Sequence, residues 1–224
     1  MTDASHATRR LVLASRNAKK VGELRDLLAP HSIAVDGIDT VPGVGEIVED
    51  GDSFAANAAI KAKVVALAAG CYALGEDSGL CVDALGGAPG IYSARFAGAH
   101  GDDAANNAKL IAELTEAKPA SRGAHYHCAI AVADPSGELI LTASGTCRGR
   151  IVEPARGSGG FGYDPHFEIR EYHRTFGELP PAVKRAISHR ARAMRSLVPR
   201  LASVLSSGDR AQRSEPSASK VELP

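Results

Sequence analysis

The stretch from Leu11 to Pro30 constrains this chain most: an apolar run, Leu11 to Ala14, breaks into the polar turn SRNAKK, and then Val21, Leu24, Leu27 and Leu28 recur at helical spacing. Pro30 stops the pattern. The unit reads as strand, tight turn, amphipathic helix, and the same alternation continues along the chain.

Ile33 to Val35 is a second extended piece. It leads through a loop rich in Gly, Pro and Asp, from Asp36 to Asp52, to the alanine-rich helix FAANAAIKAKVVALAAG, capped by Ser53 and closed by Gly70. Cys71 to Leu74 then predicts a buried strand that ends at GEDSG, residues 75 to 79. Residues 102–118 suit a helix, and His125 to Ala133 with Leu139 to Cys147 predict a hairpin around DPSGE. The loop RGSGGFGYDP precedes a short strand near Phe167 and a helical tract from about Pro181 to Leu205. This order predicts an α/β fold with a mixed, elongated central sheet flanked by helices, one domain over residues 9–205. Residues 206–224 are polar and aperiodic, the pattern of a disordered tail.

Bulk properties narrow the functional classes. With 224 residues, 44% of them hydrophobic, the chain can bury a sizeable core. Its 26 basic and 26 acidic residues cancel, so no long-range field points to nucleic acid or an anionic membrane, and an anionic ligand needs a local cluster. The four cysteines lack C-x-x-C spacing, which argues against a zinc site and for reduced thiols. No stretch reaches membrane-spanning length and MTDASHATRR lacks the apolar run of a signal peptide, so a soluble cytoplasmic protein is expected.

Ser15, Arg16, Asn17, Ala18, Lys19 and Lys20 sit where a strand turns into a helix, whose unpaired N–H groups and dipole favour phosphate. The plainer alternative is Asn17 as a helix cap with solvated lysines. Asn57 and Lys61, four apart, share a helix face among alanines. Glu49 and Asp50 precede that helix and either complement its dipole or supply a metal ligand. In GEDSG, adjacent strand residues point to opposite sides, so Glu76 and Asp77 are expected to have different tasks. A buried carboxylate calls for a nearby cation, and oxygen ligands without a Cys or His cluster favour Mg²⁺, with Mn²⁺ as substitute. Ser93 and Arg95 are expected near the same strand end. Phe161, Gly162, Tyr163 and Asp164 can stack on and read a planar base, or serve the core. Lys184, Ser188, His189 and Arg190 bring donors to the start of the last helix.

The motifs SRNAKK, FAANAAIKAK, EDSGLCVDALGGAPGIYSAR, GGFGYDP and ISHR, in this order over roughly residues 10 to 203, resemble the Ham1/RdgB-type inosine triphosphate pyrophosphatases. That resemblance implies two lobes with a nucleotide cleft between them. It also implies a homodimer that uses Mg²⁺ to hydrolyse ITP, dITP and XTP to the monophosphate and pyrophosphate. By the same resemblance, Ser15 to Lys20 and Lys61 would bind phosphate, Glu49 and Asp77 would hold Mg²⁺, and Asp77 would be the proton acceptor. Ser78 would touch substrate, Phe161 to Asp164 would enclose the base, and Lys184, His189 and Arg190 would recognise the purine.

Such a site has a consistent chemistry. By that resemblance a bound Mg²⁺ would activate a water toward the α-phosphorus, lysines would stabilise the leaving pyrophosphate, and donors facing a 6-keto oxygen would reject adenine. Glu76 departs from the Asp common in bacterial relatives, and Ala56 and Val48 stand where an acid is often found. The sequence also admits two rivals: a pyrophosphatase of other modified nucleotides, and a nucleotide-binding sensor that has lost catalysis.

Overall fold

The computed structural model describes residues 9–212. Seven strands form one mixed sheet in the order β2-β1-β3-β4-β5-β6-β7: β1 (Arg9–Leu13), β2 (Ile33–Gly37), β3 (Tyr72–Val82), β4 (Gly123–Ala133), β5 (Leu139–Ile151), β6 (Phe167–Ile169) and β7 (Arg174–Thr175). Five helices flank it: α1 (Ala18–Leu28), α2 (Phe54–Ala69), α3 (Asp103–Glu113), α4 (Pro181–Ile187) and α5 (His189–Gln212). None is long and apolar enough to cross a membrane, among the described residues. All four cysteines are free.

The pattern read from the sequence explains most of these elements. Val21, Leu24 and Leu28 of α1 join Leu197 and Leu201 of α5 on the sheet face carrying Leu11, Leu13 and Leu74. The opposite face, with Val12, Ala73 and Ala129, is covered by Ala58, Ala62, Val65 and Ala66 of α2. Ser53 caps α2 by accepting from the Ala56 N–H at 3.2 Å, and left-handed Gly70 ends it, both as expected. A further apolar cluster forms at the other end of β3 and β4, where Leu80, Tyr126, Phe167 and Phe176 meet Leu110 and Leu114.

Strands β1, β2 and β3 are parallel, with β1 in the middle, so the chain leaves β1 for β2 on one side and reaches β3 on the other. The crossover helices α1 and α2 consequently lie on opposite faces, and the carboxyl ends of β1 and β3 part there. Such a switch point is where open α/β sheets bind ligands.

Four expectations need correction. GEDSG does not end a strand: parallel pairing with β1 stops at Leu13 opposite Leu74, but antiparallel pairing with β4 carries β3 from Ala73 to Val82. Its glycines are there for close approach, since a Cβ on Gly75 would stand 2.0 Å from the Ala58 carbonyl oxygen of α2, and one on Gly79 would stand 2.4 Å from that of Gly90. The last helical tract breaks at Ser188, whose ψ of 159° is extended, into α4 and α5. The predicted helix over 102–118 is shorter, and the two-residue β7 was not foreseen. Helix α5 continues to Gln212, so only residues 213–224 of the expected tail lie outside the described residues.

Candidate active site

Beyond Leu74, β3 has no β1 neighbour. The Ala14 N–H still donates to the Leu74 carbonyl at 2.8 Å, and the chain then turns away through SRNAKK, leaving Glu76 and Asp77 beside the gap. Alternation along β3 sends the two carboxylates to opposite faces, as expected.

On the α2 face, Asp77 meets two partners. Asn57 Nδ2 donates to its Oδ2 at 3.2 Å, and Lys61 Nζ donates to its Oδ1 at 3.3 Å. The same ammonium donates to Glu49 Oε2 at 2.7 Å. Asn57 and Lys61 are one turn apart on α2, and the small alanines around them let the helix lie against the strand. Asn57 Oδ1 also accepts the Gly51 N–H at 2.9 Å, tying the loop that carries Glu49 to Asp77. Burial pushes the Asp77 carboxyl up, the Lys61 ammonium opposes that, and the Glu49 charge adds to it. Asp50 is exposed, so Glu49 is the acid of its pair that faces the cluster.

Two carboxylates converging on one ammonium offer oxygen donors suited to a hard divalent cation. Among the described residues no group of three or more His, Cys, Asp or Glu is placed to hold a metal.

The other face carries Glu76, with its side chain 3% exposed. Arg190 Nε donates to its Oε2 at 2.8 Å, and Lys20 Nζ lies 3.0 Å from its Oε1 in ion contact without a directed hydrogen bond. Arg190 also pairs with Glu23 of α1. Glu23 was missed from sequence, although it lies three residues after Lys20 on the same helical face. Ser78, half-buried, follows Glu76 on this face.

In SRNAKK, Asn17 Oδ1 accepts the Lys19 and Lys20 N–H groups at 3.0 and 3.2 Å, and Ser15 Oγ accepts the Asn17 N–H at 3.2 Å. Asn17 is therefore the cap of α1, the plainer of its two readings. Arg16 reaches the Val44 and Gly45 carbonyls at 3.3 Å each, and Ala18 and Lys19 are exposed.

GGFGYDP divides. Phe161 is 70% exposed, with Lys184 Nζ 4.4 Å from its ring centroid. Tyr163 is buried and donates to the Ser93 carbonyl at 2.8 Å, while buried Asp164 accepts the Phe161 N–H at 2.8 Å and pairs with Lys184. Those two residues shape the loop from inside, and Phe161 is the one that offers a free ring face. Gly162 is fixed by Asp103, which accepts its N–H at 2.7 Å, and by Asn107, which donates to its carbonyl at 2.9 Å, neither anticipated from sequence. Arg95 lies over the Tyr92 ring at 5.3 Å and takes no part in the cluster. The His189 ring stacks on Tyr126 at 4.9 Å and 13°, and its Nδ1 is buried without a hydrogen-bond partner. Burial pushes the His189 imidazole down to about 3, so it stays neutral.

A model of the Ham1 family matches residues 11–200 of this sequence. The chain belongs to the Ham1 family. It is 53% identical to a dITP/XTP pyrophosphatase of Rhodopirellula baltica over 85% of the chain and 92% of that protein. A dITP/XTP pyrophosphatase of Desulforamulus reducens is 50% identical over 83% and 92%. Among solved structures, the Ham1 protein of Staphylococcus aureus superposes with a TM-score of 0.80 at 34% identity, covering 89% of this chain and 100% of that one. A nucleoside-triphosphatase / dITP/XTP pyrophosphatase of Mycobacterium abscessus gives a TM-score of 0.75 at 42% identity, covering 86% and 99%. This member of the Ham1 family thus shares with those solved structures the sheet that positions its carboxylates.

Proposed function

We propose that this protein hydrolyses non-canonical purine nucleoside triphosphates, ITP, dITP and XTP, to the monophosphate and pyrophosphate. The observation that carries the reading is the 53% identity, over 85% of the chain, with a protein named for that activity. The geometry at β3 supplies the chemistry.

Glu49 and Asp77 are the residues to hold a divalent cation, Mg²⁺ with Mn²⁺ as substitute; when bound, it neutralises phosphate oxygens and acidifies a water. Asp77 is the proton acceptor, its carboxylate standing beside the gap at the β1–β3 divergence. Lys61, on the same carboxylates, supplies positive charge to the phosphates, and Lys19 and Lys20 border the gap from the other side. Phe161 provides the exposed ring for the base. Lys184, His189 and Arg190 stand together at the α4–α5 break, where a neutral His189 and the adjacent cations offer donors to a 6-keto oxygen. Adenine would meet those donors with its own amino group and lose.

The sensor alternative was motivated by Glu76. That carboxylate points away from Asp77 into a pairing of its own, so its identity leaves the Asp77 cluster intact. Assembly as a homodimer accompanies the reading and is measured by light scattering. The deciding experiment is release of pyrophosphate from ITP, dITP and XTP with Mg²⁺, against ATP and GTP as controls. Orthophosphate as product, or no turnover by folded protein, retires the proposal.

A further inference from the structure

Glu76 has no task in the chemistry above, yet its surroundings are specific. It is inside β3, its contacts at 2.8 Å to Arg190 and 3.0 Å to Lys20 come from α5 and α1, and Arg190 Nη2 also donates to the Lys20 carbonyl at 3.4 Å. One carboxylate therefore joins three elements. Lys20 ends the SRNAKK turn at the phosphate side, and Arg190 begins α5 at the base side.

A carboxylate this deeply buried is tolerated only because both oxygens face cations. Burial pushes the carboxyl up, and the stronger combined pull of Lys20 and Arg190 takes it down to about 2. The length of Glu matters as well, because an Asp would withdraw the charge toward β3 by one methylene from contacts of 2.8 and 3.0 Å.

We infer that Glu76 is a positioning residue: its carboxylate holds Lys20 and Arg190 in one fixed arrangement, so that the phosphate end and the base end of a purine nucleoside triphosphate are gripped together. The inference rests on the proposed function, and adds a coupling between the two ends of the substrate that neither cation provides alone. Placement errors near 1 Å at a reacting centre cost on the order of 10²-fold in rate, which sets the scale of the effect.

The test is a double-mutant cycle on full-length protein, with kcat/KM for ITP and the dissociation constant of ITP as readouts. Glu76→Gln keeps the shape and removes the charge, and Glu76→Asp keeps the charge and shortens the reach. Glu76→Gln is expected to lower kcat/KM on the order of 10²-fold. In the wild-type background, Lys20→Met and Arg190→Met are expected to combine to less than the product of their separate effects; with Glu76→Gln the two effects multiply. A role in stability alone leaves that change in additivity absent. If Glu76→Gln does not fold, Glu76→Asp carries the cycle, with the departure from multiplicativity reduced.

Unchanged kcat/KM in both Glu76 variants, or Lys20 and Arg190 effects that already multiply in wild type, overturns the inference alone. A wild-type chain that neither binds nor cleaves ITP removes the proposed function and the inference with it.

Discussion

Two clusters meet at neighbouring residues of β3, and they are built to opposite ends. On the α2 face, Glu49 and Asp77 share one cation, Lys61, so the group carries an excess negative charge. On the α1 and α5 face, Glu76 and Glu23 face Lys20 and Arg190, and the charges cancel. Of the two neighbours on β3, the Asp77 side chain is 15% exposed and that of Glu76 only 3%. Proton affinity divides them as well, since the Asp77 carboxyl is raised and the Glu76 carboxyl lowered. A cluster short of positive charge can take up a cation. A balanced one has its carboxylates already matched and fixes the cations it holds.

The widest separation of the two comes from Asp77→Asn. It keeps the side-chain shape and the Asn57 neighbour while removing the carboxylate proposed as proton acceptor and metal ligand. Turnover of ITP is expected to fall by about 10³-fold or more, with nucleotide binding partly retained, as measured by steady-state kinetics and calorimetry. Turnover close to wild type would remove Asp77 from its assigned role.

The second effect concerns the other face and reads stability. Glu76→Leu strands Lys20 and Arg190 without their carboxylate, and losing one partner of a buried pair costs about 3 kcal/mol or more. Urea denaturation should show that loss with little change in slope. A cost below about 1 kcal/mol would mean that Glu23 alone satisfies Arg190, and the balanced cluster would lose its meaning.

Why one carboxylate could be read from sequence and the other could not has a physical answer. Asp77 belongs with Glu49, Asn57 and Lys61, whose link to α2 is local: a cap, a one-turn spacing and small neighbours. Helix α2 and the hairpin of β4 and β5 were legible for the same reason, each being bounded by its own cap or turn. Glu76 depends on Arg190, 114 residues away, and Glu23 on the same arginine from 167 residues away. No periodicity encodes such a meeting. GEDSG was misread as a strand end because Gly, Asp and Ser are turn formers, whereas the pairing with β4 that extends β3 is a long-range fact. The break at Ser188 had no Pro or Gly to announce it, while Pro199, a usual breaker, lies inside α5.

The smallest effect is also the one most specific to the contrast, because it turns on sign. A carboxyl whose folded pKa is raised makes the folded state prefer the protonated form, so at neutral pH its charge works against folding, and that penalty fades as pH falls through the folded pKa. Asp77 is such a group. Glu76 is the reverse: its contribution is complete above the ordinary value of 4.5 and is lost as pH falls toward about 2. Asp77→Asn, expected to lower turnover, should therefore raise the melting temperature at pH 7, by no more than about 4 °C, and the gain should shrink on acidification. Glu76→Gln should lower it at pH 7, with its deficit closing only between about pH 4.5 and 2. Thermal melts of both variants and wild type across that range read the two signs side by side. Two deficits at neutral pH would place Asp77 in a balanced pairing after all, and a site that gives up stability for chemistry would then have to be sought elsewhere on the sheet.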